Sequence, residues 1–178
     1  MFSPRPARWA ALALLCAAAA CAPRYNWHFV NDPQGQFAAS FPAHESTESR
    51  PVQLAGQTLT MRMSVASVGK TTFAIGVIVL PRDDAALRAR VQTQLSADLG
   101  AKLGQGGAPT AVRVQTDSGP IAGIELDASG TVPHQEAKRE ARVRVIGFGA
   151  RVYQLAVISE QALPLDESKQ FFDSFRPF

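Results

Sequence analysis

The chain has 178 residues, 46% of them apolar and 19% charged, with 18 Lys+Arg against 15 Asp+Glu and two Cys. That composition fits one soluble domain with a real core and excludes disorder, collagen, a long coiled coil and a multi-pass membrane protein. The pI near 9.2 overstates the basic character. Arg5 and Arg8 lie in a segment read below as cleaved, so the 18 basic residues become 16 against 15 acidic ones. This is not the charge of a nucleic-acid binder.

Residues 1–20 begin with Arg5 and Arg8 and continue as an apolar run of 12 residues, Trp9 to Ala20. A spanning helix needs about 20, so the segment reads as an export signal. The stretch Ala18-Ala19-Ala20-Cys21 resembles the bacterial lipobox. The resemblance implies that the Cys21 thiol is acylated and that Cys21 becomes the mature N-terminus. The lipobox prefers Leu where Ala18 stands. Cys16 fits worse, because Leu15 occupies the place of a small residue. Cutting after Ala22 would put Pro23 beyond the bond, which blocks the ordinary signal peptidase. A plain secreted protein with an idle Cys is the alternative. Ala22, rather than Asp, follows the Cys, and the resemblance therefore implies the outer membrane, with the domain facing the periplasm. Each buried methylene contributes about 0.8 kcal/mol, so several acyl chains together hold a soluble domain at the bilayer. With Cys16 removed and Cys21 acylated, no thiol remains for a disulfide, a nucleophile or a thiolate metal site.

Residues 21–27 form a short tether, and a single domain is expected over 28–178. Strands are expected at Gln36 to Phe41, at Gln57 to Ala66 with apolar residues at alternate positions, and at Thr72 to Leu80, which is nearly all apolar. Asp83 or Asp84 suits the N-cap of a long helix carrying Leu87, Val91, Leu95, Leu99 and Leu103 along one stripe. Gly104 to Gly107 and Pro109 end it. Further strands are expected at 111–116, 121–128, 136–148 and 151–159, the last two joined about Gly147-Phe148-Gly149. Pro164 opens a short helix with Phe171, Phe172 and Phe175 on one side. This order implies an α+β fold: a mostly antiparallel sheet with one long helix and a short C-terminal helix packed on it. The sequence Phe37-x-x-x-Phe41-Pro42, then Gly123-x-Glu125-Leu126, Arg151-x-Tyr153-Gln154-Leu155 and Phe172-Asp173-Ser174-Phe175 resembles the PsbP-like α/β/α sandwich. That fold serves many roles and implies no activity.

The chemistry-bearing motifs are fragments. Gly69-Lys70-Thr71-Thr72 lacks the first Gly of a phosphate loop, since Ser64 stands there, and it joins two strands, so a turn is expected and no nucleotide. His44-Glu45-Ser46-Thr47-Glu48 begins like HExxH but has Glu48 in place of the second His; a metal site would also need His28 or His134. His134-Gln135-Glu136 lacks the cysteines of a zinc deaminase. In the run Glu136 to Arg144, a strand puts Lys138, Glu140, Arg142 and Arg144 on one face. That face is either a contact for lipid phosphates or a charged solvent face that blocks edge pairing. Trp27 either plugs the core or, with Tyr25, lies at the headgroups.

These readings name one site residue, Cys21 for lipidation, and no catalytic residue, metal or cofactor. The partners expected are the membrane, through the anchor, and an envelope protein, with no nucleic acid. A non-catalytic binding or assembly module is the leading expectation. The alternative is a periplasmic small-ligand binder or hydrolase with a pocket between helix and sheet that holds at least one His.

Overall fold

The structure, a computed structural model, describes residues 24–103, 105–131 and 138–178. The signal segment, Cys21 and His134 lie outside these residues. Eleven strands are described: β1 His28–Asp32, β2 Phe37–Phe41, β3 Ser46–Leu54, β4 Gln57–Val68, β5 Thr71–Val79, β6 Gln105–Gly106, β7 Thr110–Thr116, β8 Gly119–Thr131, β9 Lys138–Phe148, β10 Arg151–Ser159 and β11 Arg176–Pro177. Among the described residues helix is confined to α1, Ala85–Leu103, and α2, Leu165–Ser174.

Every pairing is antiparallel. The large sheet has the order β3-β4-β5-β10-β9-β8-β6, with β7 also on β8; the small sheet has the order β1-β2-β11. The expected α+β class with an α/β/α sandwich is corrected by this arrangement. Strand dominates, and a second sheet forms a layer of its own against the large one. The physical reason lies in the chain's two ends. The segments 28–41 and 176–177 pair with each other through β2 and bury Phe37 and Phe41 inward.

The β5–β10 pair runs through the centre of the large sheet, with Ala74 opposite Ala156 and Ile75 opposite Leu155. Because side chains alternate across a strand, each of these strands serves two cores. Phe73, Ile75, Val77, Tyr153, Leu155 and Val157 join the aromatic core under the small sheet and α2, together with Phe37, Phe41, Phe171 and Phe175. Fully burying one such ring contributes about 1.5–3 kcal/mol. The rings meet edge to face: Phe73 and Phe171 at 5.4 Å, Phe41 and Phe171 at 5.5 Å, Tyr153 and Phe175 at 5.2 Å.

The small sheet is also fixed by polar contacts. The Tyr153 hydroxyl donates to the carbonyls of Gly35 and Gln36, at 3.0 and 2.9 Å. Asp32 accepts the Gln34 and Gly35 amides at 3.0 and 2.9 Å and pairs with Arg62 on β4. The Ser174 hydroxyl accepts the Ser40 amide at 2.9 Å, holding α2 to β2. Burial pushes the Tyr153 phenol well above its ordinary value, because the charged phenolate is poorly solvated there.

On the opposite face α1 lies mainly across β9 and β8. Leu87, Val91 and Leu95 pack with Ile78, Val145 and Val152. Asp84 caps the helix, accepting the amides of Ala86 and Leu87 at 2.9 and 3.0 Å, and these bonds hold its carboxyl below the ordinary value. Gly147 allows the close approach: a Cβ there would sit 2.7 Å from both Arg88 Cδ and Gln92 Oε1.

Candidate functional site

The basic run on β9 faces its own neutralising partners. Glu125 and Asp127 on β8 stand directly opposite Arg144 and Arg142. Arg142 binds both carboxylate oxygens of Asp127, at 2.7 and 2.8 Å, and Arg144 reaches Glu125 at 2.6 and 3.0 Å. The hydrogen bond that Arg142 donates to Asp127, with that carboxylate's charge, raises the Arg142 pKa. Arg144 also lies over the Phe172 ring, 4.8 Å from its centroid. Arg139 pairs with Glu160 at 3.2 Å, and Glu140 accepts the Leu163 amide at 3.2 Å. The run is thus a cross-strand ladder that seats α2.

Two of the three histidines come together. His28 Nε2 is 2.8 Å from Glu45 Oε2, and the His28 and His44 rings are 5.1 Å apart. Glu48 lies on β3, opposite Met63. The segment is therefore extended from Ser46 onward, and the helical spacing that HExxH needs does not form. Among the described residues no group of three or more His, Cys, Asp or Glu could hold a metal. His134 and Cys21 lie outside the described residues.

Gly69 and Lys70 form the β4–β5 turn, Gly69 at φ 59°. Lys70 lies 3.8 Å from Glu160, and the Thr71 and Ser159 hydroxyls bond at 3.1 Å. These residues close one end of the sheet, as a turn does. Tyr25 and Trp27 stack at 6.3 Å, and each meets Phe73 edge to face, at 6.4 and 6.2 Å. Both are partly buried against the aromatic core.

The alternative reading of the sequence asked for a pocket between helix and sheet without naming its residues, and a groove of about 530 Å³ does lie between the second half of α1 and strands β3, β4, β5 and β10. Its volume is that of a small-molecule pocket. Ala74 and Ala156 face each other across β5 and β10 and form part of the floor. Leu95 and Leu99 of α1 make one wall, and Met61 and Met63 of β4 another. Arg50, Gln53, Asp98 and Gln154 supply the polar groups. No His lines the groove, and no aromatic ring does either.

The signal for it was present in the sequence. In Thr72 to Leu80 the large residues Phe73, Ile75 and Val77 alternate with Ala74 and Gly76, and in β10 Tyr153, Leu155 and Val157 alternate with Gln154 and Ala156. Both strands thin their side chains on the same face.

Further hollows lie among the described residues, of which three bear on the site. One of about 500 Å³ beside the start of α2 includes Asp127, Glu140 and Arg142, whose bonds are already made within the fold. One of about 590 Å³ lies between the β1–β2 turn and β4–β5. The smallest, about 300 Å³, holds Arg113, Arg144 and Arg176; Arg144 is bound to Glu125 and Arg176 to the carbonyls of Asp173 and Phe175. Among the described residues no helix is long and apolar enough to cross a membrane. In comparisons with known proteins the chain matches no family model and no curated protein.

Proposed function

We propose that this chain is a lipid-anchored envelope protein whose domain works by binding rather than by catalysis. The observation that carries the binding half is the helix–sheet groove, which is apolar, of ligand size and free of His. An apolar wall with a few polar groups is how small-molecule sites are built. A hydrolase would need a nucleophile and a base within hydrogen-bond reach, and the described pair His28–Glu45 is not part of the groove lining. The groove therefore favours the ligand-binding form of the reading over the hydrolytic one. Support for the anchor comes from Ala18-Ala19-Ala20-Cys21. The lipobox resemblance, with Ala22 rather than Asp after the Cys, supports a location in the outer membrane, facing the periplasm.

The anchor is tested by acyl labelling in bacterial cells. Cys21→Ala abolishes label incorporation and lipoprotein-type processing; unchanged labelling refutes the assignment. Crosslinking in the envelope followed by mass spectrometry tests an assembly role, for which capture of one defined envelope protein is the expected result.

A further inference from the structure

We infer that the groove takes the aliphatic chain of a membrane amphiphile. The inference rests on the binding reading above and names its ligand class.

Three observations converge on it. The first is the chemistry of the lining. Leu, Met, Ala and Ile side chains make the walls, and every ring in the aromatic contacts of β5 and β10 belongs to the other face. Sugars, nucleobases and aromatic metabolites are held by stacking on rings, and the groove offers none. Met61 and Met63 are unbranched and polarizable, and such side chains mould themselves to flexible apolar partners.

The second is shape. Further along the same strands Ile78 and Val152 fill the space under α1. At Ala74, Gln154 and Ala156 the strands line the groove instead, with the Met61 side chain lying over Gly76. The lining thus runs along the strands as far as Ile158, the penultimate residue of β10, an elongated form that suits a chain better than a compact ligand.

The third is where the chain leads. At Ile158 the groove approaches the strand ends closed by the β4–β5 turn. A Cβ on Gly69 in that turn would lie 3.3 Å from Nη2 of Arg24, so the first described residue reaches this end of the sheet with its side chain. Cys21 is only three residues before Arg24, at most about 11 Å of extended chain. An anchor at Cys21 puts this end of the groove next to the bilayer, where amphiphiles are the abundant solutes.

The polar groups fit a headgroup that stays wet. Arg50 has no ion-pair partner among the described residues, and it is exposed. Asp98 is exposed across the groove and carries the opposite charge. The pair of signs suits a zwitterionic or weakly anionic head better than a strongly anionic one. Gln154 adds a neutral donor and acceptor within the lining.

The test uses the acylated full-length protein in detergent and a conjugated polyene fatty acid whose emission rises in an apolar site. One saturable site per protein is expected, displaced by lysophosphatidylcholine more effectively than by an aromatic dye. Ala156→Leu and, separately, Ala74→Leu should weaken uptake at least tenfold while the far-UV dichroism and melting curve stay unchanged. Should a floor variant misfold, Met63→Gln at the half-buried wall gives the same reading. No saturable uptake, or equal uptake by folded floor variants, overturns the inference. Uptake that appears only in Cys21→Ala also overturns it, because the protein's own anchor then fills the groove. Acyl label is measured in the same samples: labelled protein without uptake sinks the groove alone, and uptake without label sinks the anchor alone.

Discussion

The two faces of the β5–β10 pair are built from the same two strands and do opposite things. On one, Phe73, Ile75 and Val77 stand against Val157, Leu155 and Tyr153, all but closed to solvent and locked by rings from α2 and the small sheet. On the other, Ala74 and Ala156, small and themselves buried, form part of the floor of the groove beside α1. A period of two lets one strand carry stability and vacancy at once, because each face is read by a different set of neighbours. The aromatic face holds the domain together, and the other face carries the groove.

That contrast breaks most sharply at Phe171, which touches rings of β2, β5 and α2. Phe171→Ala should cost about 3–5 kcal/mol in urea unfolding, because the fully packed site cannot collapse around the hole. A loss under about 1 kcal/mol would mean that the aromatic face is not the stabilising one. Next is Arg144→Ala, which removes the bond to Glu125 and the stack on Phe172. The pair is partly buried, at 13% and 16% side-chain exposure, so the cost should fall between the exposed and buried limits, about 1–3 kcal/mol. A double-mutant cycle with Glu125→Gln should report coupling of at least about 0.5 kcal/mol.

Tyr153→Phe sharpens the comparison by keeping the ring and losing only the hydroxyl. It should cost about 1–2 kcal/mol, since the Gly35 and Gln36 carbonyls lose a donor. The phenol's folded pKa is raised by burial, so the folded state keeps a proton that the unfolded state releases near pH 10. Stability is therefore full below about pH 10 and falls as the pH rises toward the folded value. Melts at pH 9 and pH 11 should show that fall in wild type and less of it in Tyr153→Phe.

The smallest effect is expected on the thinned face. Ala156→Leu should change stability by less than about 1 kcal/mol, whereas adding the same atoms to a filled core costs about 1–3 kcal/mol. A larger loss would show that the groove is not open space.

Much of the secondary structure was legible because its signals are local. The stripe Leu87, Val91, Leu95 and the cap at Asp84 mark α1, and the glycines about Phe148 mark the β9–β10 turn. Glu48 and Pro51 made β3 hard to read. Among the described residues this strand pairs only with β4, so it sits at a sheet edge, where proline and charge are tolerated. The second sheet was not legible, because it joins residues 28–41 to 176–177 and no window of sequence contains both. The ladder on β8 and β9 was half legible: alternation placed Arg142 and Arg144 on one face, but the register with Asp127 and Glu125 is a tertiary fact. The groove was written in the small residues of β5 and β10, yet an alanine in an apolar strand looks like filler until its neighbours are known.

The last strand, β11, closes on one of the first, β2, and Phe178 donates its amide to Gln36 at 3.1 Å. Contacts so distant in sequence form late, after the cost of closing a long loop has been met. The small sheet therefore stays unfinished until residues 171–178 pack against it, and β2, already joined to its neighbour β1, gains its second strand partner last.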